Sequence, residues 1–491
     1  MIARVMASMA ALVAIAAGPN LSAADKPQEA QEGTGIFGAF AASKEWTPPQ
    51  DPAVLKKLAE WQDQKLGLLI SWQACVQWGI DSWPLCPERF SWNERRDWTT
   101  GMLSPVANEN RTYKLSYEDL LTTFNPIRFN PDRWAVAAKD AGVRYVLVMS
   151  KHCDGFNMYD TKFSDYKITS PRCPFSGHSQ ADVLKAQVNA FHRQGLIVGI
   201  YASKCDWAHP DYWSPDAPLT GRGTNYNTRR HCERWARYKK FFWNQVEELV
   251  SGYGPLDILW LDDGWVRAPL EDLDITGVAA MARKHDPGLI VVDRTVSGPN
   301  ENYITPEQVI PATFLPYPWE TCMTMGGHWN WYPKDNFKTA GTLIRDLCRI
   351  VARNGNYVIG IGPDANGEFD PVVYARLRQI GAWLKLNGEA IYETRPAKPY
   401  ESGDCVFTRR RDGSVYVIAL SKDDSGTLPE RVAIPAELAA GARRFTLLGW
   451  GPLQPVETKD GVTTIAIPAT ARSKPPCPCA WTIKLTPGKL Q

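Results

Sequence analysis

Between about residues 65 and 363 the chain alternates short, continuously apolar runs with longer segments whose apolar residues recur at helical spacing. The apolar runs are Leu66–Ile70, Arg144–Met149, Leu196–Tyr201, Leu256–Leu261, Leu289–Val292 and Tyr357–Ile361. Their Val/Ile/Leu content without polar alternation predicts strands buried on both faces. Helices are predicted over Pro131–Ala141, Ala181–Arg193, Cys232–Val250, Thr276–Lys284 and Thr339–Ala352. The glycines that follow two of them, Gly142 and Gly195, suit left-handed helix caps. Strand–helix alternation of this length predicts a parallel sheet wrapped by helices.

Polar and aromatic residues gather after the strands. Ser150-Lys151-His152-Cys153-Asp154 follows one, and Ser203, Asp206 and Trp207 follow the next. Asp262-Asp263-Gly264-Trp265 and Asp293-Arg294 follow two more. Such clustering at strand C-terminal ends is where a (β/α)-barrel keeps its active site, so the expected fold is an α/β (TIM-like) barrel. After a last helix, Pro371–Asn387, the texture changes to short alternating runs at Asp404–Arg409, Ser414–Ala419, Arg444–Leu448, Thr463–Ile467 and Ala480–Leu485. Turns such as Arg411-Asp412-Gly413 separate them, and a C-terminal antiparallel β-sandwich is expected. The boundaries read as a signal peptide at 1–24, a polar leader at 25–44, a barrel domain at 45–396 and a sandwich at 397–491.

Charge narrows the partners. Lys and Arg number 55 against 53 Asp and Glu, a net charge of +2. That gives no electrostatic footprint for nucleic acid or an anionic membrane, and a neutral ligand is expected. Twenty Trp and eighteen Tyr suit carbohydrate, because aromatic faces pack on sugar C–H groups, although rings also fill large cores. Arg4, the apolar stretch Met6–Gly18 and Ser22-Ala23-Ala24 form a secretory-signal pattern, which predicts a secreted or periplasmic protein. Export permits disulfides among the eleven Cys, whose pairing the sequence leaves open. No Cys/His group has zinc spacing, so neither metal nor cofactor is expected.

Four segments together resemble glycoside hydrolase family twenty-nine, the α-L-fucosidases, from about Trp61 to Pro396. They are Phe129-Asn130-Pro131-Asp132-Arg133-Trp134, Lys151-His152-Cys153-Asp154-Gly155-Phe156, Trp260-Leu261-Asp262-Asp263-Gly264-Trp265, and the exit Asn354-Gly355-Asn356 through Asn387-Gly388-Glu389. The resemblance implies a retaining exo-glycosidase that removes terminal α-L-fucosyl groups from an oligosaccharide or glycoconjugate. It assigns Asp262 as nucleophile, at a strand end beneath an open face. For the acid/base, Glu307 in Thr305-Pro306-Glu307-Gln308 is the first candidate, Glu320 in Trp319-Glu320-Thr321 the competitor, and Glu301 the third. The acid is expected to have a raised pKa, so that it is protonated when the leaving oxygen needs a proton.

The chain also departs from the family pattern. A His-Trp-Gly usually follows the first strand; here Ser71-Trp72-Gln73 or, after an insertion, Gln77-Trp78-Gly79 stands there, and the second alignment is preferred. Cys153 replaces the second His of a His-His pair, and Ala202 follows Tyr201 where many members carry a second Tyr. These changes predict an altered sugar pocket and an L-fucose relative, such as L-galactose or L-glucose, as the glycone. Gln77, Trp78, His152, Tyr201, Trp260, Arg294 and Glu320 are the expected sugar-binding residues, with Trp207 and Trp265 as further wall candidates. Alternative roles are pairing of Arg294 with Asp293 or Glu301, and core packing for each Trp. A catalytically silent carbohydrate-binding protein on the same scaffold is the competing function.

Overall fold

The computed structural model describes residues 45–86, 96–97, 102–103, 110–424 and 426–488. The expected signal peptide and leader lie outside the described residues. Among the described residues no helix is long and apolar enough to cross a membrane.

Seven parallel strands form one curled sheet: β1 (Leu66–Ile70), β2 (Tyr145–Lys151), β3 (Ile197–Ser203), β4 (Ile258–Asp262), β5 (Ile290–Asp293), β6 (Trp319–Thr324) and β7 (Gly355–Ile361). Their spatial order is β5-β4-β3-β2-β1-β7-β6. All six expected strands are present, within a residue or two at their ends. β6 was missed, because Trp-Glu-Thr-Cys-Met-Thr does not read as an apolar run, yet every residue of it is buried. The expected closed barrel appears as this curled sheet, with no ladder joining β5 to β6. Instead the segment 301–307 crosses between the two edges: Glu301 bridges Val292 of β5, while Ile304 and Glu307 bridge Trp319 and Cys322 of β6.

Strand alternation decides which side chains enter the curl. Tyr145, Leu147 and Met149, then Tyr201, Ile258, Trp260, Ile290, Val292 and Cys322, form one interior cluster, which Leu58 and Trp61 of helix Pro52–Gln62 join. Val146, Val148, Val198, Ile200, Leu259, Leu261 and Val291, on the opposite face, belong to the larger core shared with the helices. The space inside is tight enough to require glycine on β1: a Cβ on Gly67 would lie 2.4 Å from the Tyr145 ring. Continuing the interior series by two residues gives Asp262 from Ile258–Trp260, and Arg294 from Ile290–Val292. The period of two therefore aims both residues inward at the C-terminal rim.

Beyond helix Pro371–Asn387 the strands β8 (Arg395–Ser402), β9 (Cys405–Arg409), β10 (Val415–Leu420), β11 (Arg431–Pro435), β12 (Ala442–Leu447), β13 (Gly451–Leu453), β14 (Pro455–Lys459), β15 (Val462–Ala466) and β16 (Ala480–Pro487) follow. They make a six-stranded sheet, β8-β9-β10-β16-β12-β13, and a three-stranded one, β11-β15-β14. The Trp383 indole N–H donates to the Ala480 carbonyl at 2.8 Å, and Arg345 pairs with Asp424 at 2.9 Å. Both contacts fasten this β-rich region to the helices of the parallel sheet.

Candidate active site

At the C-terminal rim a pocket is lined by residues from five of the seven strands and the loops after them, with Asp262, Arg294 and Glu307 together on its wall. Asp262 is the last residue of β4. Its Oδ2 accepts a hydrogen bond from the Tyr201 hydroxyl at 2.7 Å, and its Oδ1 accepts from Arg294 Nη1 at 2.9 Å. The other terminal nitrogen of Arg294 donates to Glu307 Oε2, and Glu307 Oε1 accepts from the Trp329 indole at 3.2 Å. One guanidinium thus spans two carboxylates, and it also lies 5.0 Å over the Trp260 ring. Asp293 is not its partner; Lys204 takes Asp293 at 2.5 Å.

The local fold explains this placement. Arg294 follows β5 directly, and its backbone N–H still bonds to the Leu261 carbonyl of β4, which keeps its side chain beside Asp262. Glu307 is held by backbone stitching to β6: Cys322 N–H donates to Pro306, and Gln308 N–H to Cys322. Asp263 turns off the strand with φ +71°, and its carboxylate accepts from Cys205 N–H and the Cys153 thiol.

Burial and charge set the protonation states. Burial alone raises the Asp262 carboxyl, but the Arg294 charge and the Tyr201 hydrogen bond outweigh it, leaving Asp262 below the ordinary carboxylate range. The neighbouring Asp263 goes the other way, pushed up to about 6 by burial and by the Asp262 charge. His152 also lines the pocket, with Nδ1 2.5 Å from the Ser82 hydroxyl. Burial lowers its pKa to about 4, against the pull of Asp262, so it is a neutral imidazole near pH 7.

Other expected residues are placed elsewhere. Gln77 does not line this pocket: its amide donates to the Ala74 and Leu120 carbonyls and accepts from Thr123, which ties together the helical turns at 74–78 and 119–122. Trp78 packs on Tyr113 and Tyr117, also outside the pocket. The alternative alignment supplies the wall instead. Ser71 donates to Asn330 Oδ1 at 2.7 Å, and Asn330 donates to Gln73 Oε1 at 2.9 Å; all three line the pocket. Cys153 is fully buried beneath the rim rather than on the wall. Glu301 accepts from the Thr295 backbone N–H and is buried away from the pocket.

Glu320 is the instructive case. Burial raises its pKa to about 7, although hydrogen bonds from Tyr145 and Tyr303 oppose the rise. That is the value expected of a general acid. Yet Glu320 is wholly buried one layer below the pocket, held by Tyr145 at 2.6 Å and Tyr303 at 3.3 Å. Glu320 itself does not line the pocket, its carboxyl lying behind the Trp260 indole of the wall, and reach precedes pKa in assigning an acid. Its titration acts on stability instead. With the folded-state pKa above the unfolded value of 4.5, the folded protein holds the extra proton between about pH 4.5 and 7. Stability therefore falls as pH rises through that window. Denaturant unfolding at pH 5 and pH 8 is expected to show a smaller loss for Glu320→Gln than for the parent; equal losses would remove Glu320 as the cause.

Sequence reasoning missed Gln73, Asp81, Trp83, Trp329 and Asn330 on the wall. Trp83 lines the pocket, while Trp207 and Trp265 stand behind it with ring centroids at 5.5 and 5.9 Å. Trp329 and Asn330 follow β6, so failing to see that strand concealed its active-site loop.

The sequence profile of the family described as alpha-L-fucosidase matches residues 37–389. The chain belongs to the α-L-fucosidase family of glycoside hydrolases. It is 28% identical over 449 residues to plasma alpha-L-fucosidase of Homo sapiens, covering 88% of this chain and 90% of that protein. Identity to an alpha-L-fucosidase of Branchiostoma floridae is 26% over 459 residues, covering 90% and 95%. Among solved structures, alpha-L-fucosidase isoenzyme 1 from Paenibacillus thiaminolyticus superposes with a TM-score of 0.72 at 25% identity, covering 89% of this chain and all of that one. A Bacteroides thetaiotaomicron alpha-L-fucosidase described as a trapped covalent intermediate has a TM-score of 0.67 at 22% identity, with 90% and 98% covered.

Proposed function

We propose that this family member is a retaining exo-glycosidase for terminal α-L-fucose or a related L-sugar, with Asp262 as nucleophile and Glu307 as acid/base. The observation that carries the proposal is the Arg294 guanidinium held between two carboxylates on the wall of one pocket. A double displacement needs two carboxyl groups roughly 5–5.5 Å apart across the anomeric carbon, a gap of the order one guanidinium spans. Asp262, kept ionised by Arg294 and oriented by Tyr201, attacks that carbon. Its two oxygens have about four acceptor sites between them, so the Tyr201 and Arg294 hydrogen bonds do not exhaust its capacity for the task. Glu307 protonates the departing oxygen, then takes a proton from the water that releases the sugar. The relatives named for plasma agree with the N-terminal signal pattern, and we infer export on that basis.

Away from the carboxylates and Arg294, neutral groups make up much of the polar wall. His152 carries no charge near pH 7, and Ser71, Gln73 and Asn330 offer hydroxyl and amide groups where a His usually follows the first strand. Such a wall suits a different hydroxyl pattern at C4 or C6, and L-galactose and L-glucose remain the proposed alternatives to L-fucose. The test is kcat/KM on aryl α-L-fuco-, galacto-, gluco- and rhamnosides. Weak fucoside turnover with a better relative is expected, and Asn330→Ala should lower the best value roughly tenfold or more by stranding Ser71 and Gln73. Gln77→His should change it little. Fucoside preferred a hundredfold would refute the altered pocket, and binding without turnover of any glycoside would favour a silent binder.

A further inference from the structure

Beneath the pocket three donor groups from separate strand ends converge. Cys153 follows β2, Cys205 follows β3 and Asp263 follows β4, and one ligand atom from each lies within 4.8 Å of the others. All three residues are buried. The Cys153 sulfur is 3.3 Å from Asp263 Oδ1, 3.8 Å from the Ser203 hydroxyl and 4.0 Å from His152 Nε2. With zinc–sulfur and zinc–oxygen bonds of about 2.3 and 2.1 Å, tetrahedral ligands stand about 3.6–3.8 Å apart. The Cys153–Asp263 separation is close to one edge of such a tetrahedron, and the 4.8 Å limit on the other two brings the Cys205 sulfur within reach of the same ion. We propose that Cys153, Cys205 and Asp263 form a binding site for a single thiophilic divalent cation of the zinc class, directly under the nucleophile.

Three features support this. The donor set is two soft sulfurs and one carboxylate, which selects zinc-like ions over magnesium or calcium. Asp263 is held by its left-handed backbone and by Cys205 N–H on Oδ2, which leaves Oδ1 aimed at the sulfurs. Asp263 also lines the pocket, which gives an ion a route inward. The exchange conserves charge: two thiol protons leave to solvent as one dication enters. The cluster carries one net negative charge before and after when Asp263 is ionised, so no new charge is buried. No zinc spacing exists along the chain, because the ligands come from three strand ends and meet only in the folded sheet.

Cadmium is the probe, because thiolate ligation produces charge-transfer absorption in the ultraviolet that carboxylate ligation does not. The full chain, reduced and carrying Cys232→Ser to remove the exposed thiol, is titrated with cadmium at pH 8. The expected result is one ion per chain with thiolate absorption, and a rise in melting temperature. Both should be lost in Cys153→Ser and in Cys205→Ser and kept in Cys348→Ser. Persistence of the absorption in both site variants, or no uptake by the folded reduced protein, overturns the proposal. A Cys153–Cys205 crosslinked peptide found in the protein before reduction also overturns it, since the pair is then a disulfide. None of these readouts depends on glycosidase turnover.

Discussion

Asp262→Asn is expected to lower kcat/KM on the best aryl α-L-glycoside by about 10⁴-fold or more, the usual scale for losing a covalent nucleophile. The amide keeps the shape of the carboxylate and can still accept from Tyr201. Arg294 retains Glu307 as a counter-ion, so the buried guanidinium is not left without one. The variant should therefore fold, with a modest fall in melting temperature. Asp262→Ala should lose similar activity and more stability, because the Tyr201 hydroxyl and one face of Arg294 lose their acceptor. Steady-state kinetics beside thermal melts separates these effects. A folded variant within tenfold of the parent would remove Asp262 from the nucleophile's role.

Glu307→Ala is expected to show the second largest effect, one that depends on the leaving group. Aryl glycosides with acidic phenols need little protonation and should slow modestly, whereas alkyl or sugar aglycones should slow by roughly 10²–10⁴-fold. Azide should restore turnover by attacking the glycosyl-enzyme without needing a general base, and the product would be the glycosyl azide with retained configuration. The same series on Glu320→Ala should show no dependence on leaving group and no azide rescue, since that side chain lies below the pocket. If Glu320→Ala is rescued and Glu307→Ala is not, the assignment reverses. Arg294 contacts both carboxylates, so its substitution would disturb both steps and cannot discriminate between them.

Glu307 and Glu320 show how far the linear pattern reaches. Each sits in a segment that resembles the family, and nothing in their neighbours along the chain says which one faces the pocket. The decision is made by β6. Its alternation turns Glu320 inward at the level of Tyr145, while 301–307 rides over the sheet edge and carries Glu307 to the rim. A segment joined to its neighbours by isolated bridges leaves no periodic trace in sequence. The same holds for Gln77, chosen by alignment for the sugar wall and found capping two helical turns.

What the sequence determined by itself was local and periodic. Continuous apolar runs specified six of the seven parallel strands, and the alternation of β4 and β5 aimed Asp262 and Arg294 inward from their own segments. The family followed from motifs whose order along the chain is itself a property of the sequence. Only the tertiary structure decided which distant groups meet. It brought Arg294 between Asp262 and Glu307, placed Asn330 against Ser71 and Gln73, and gathered Cys153, Cys205 and Asp263 beneath them. The physical reason is that periodicity records how a segment meets water and core, one element at a time. Contacts across a sheet depend on how strands are ordered, and strands adjacent in space, such as β1 and β7, stand nearly 300 residues apart.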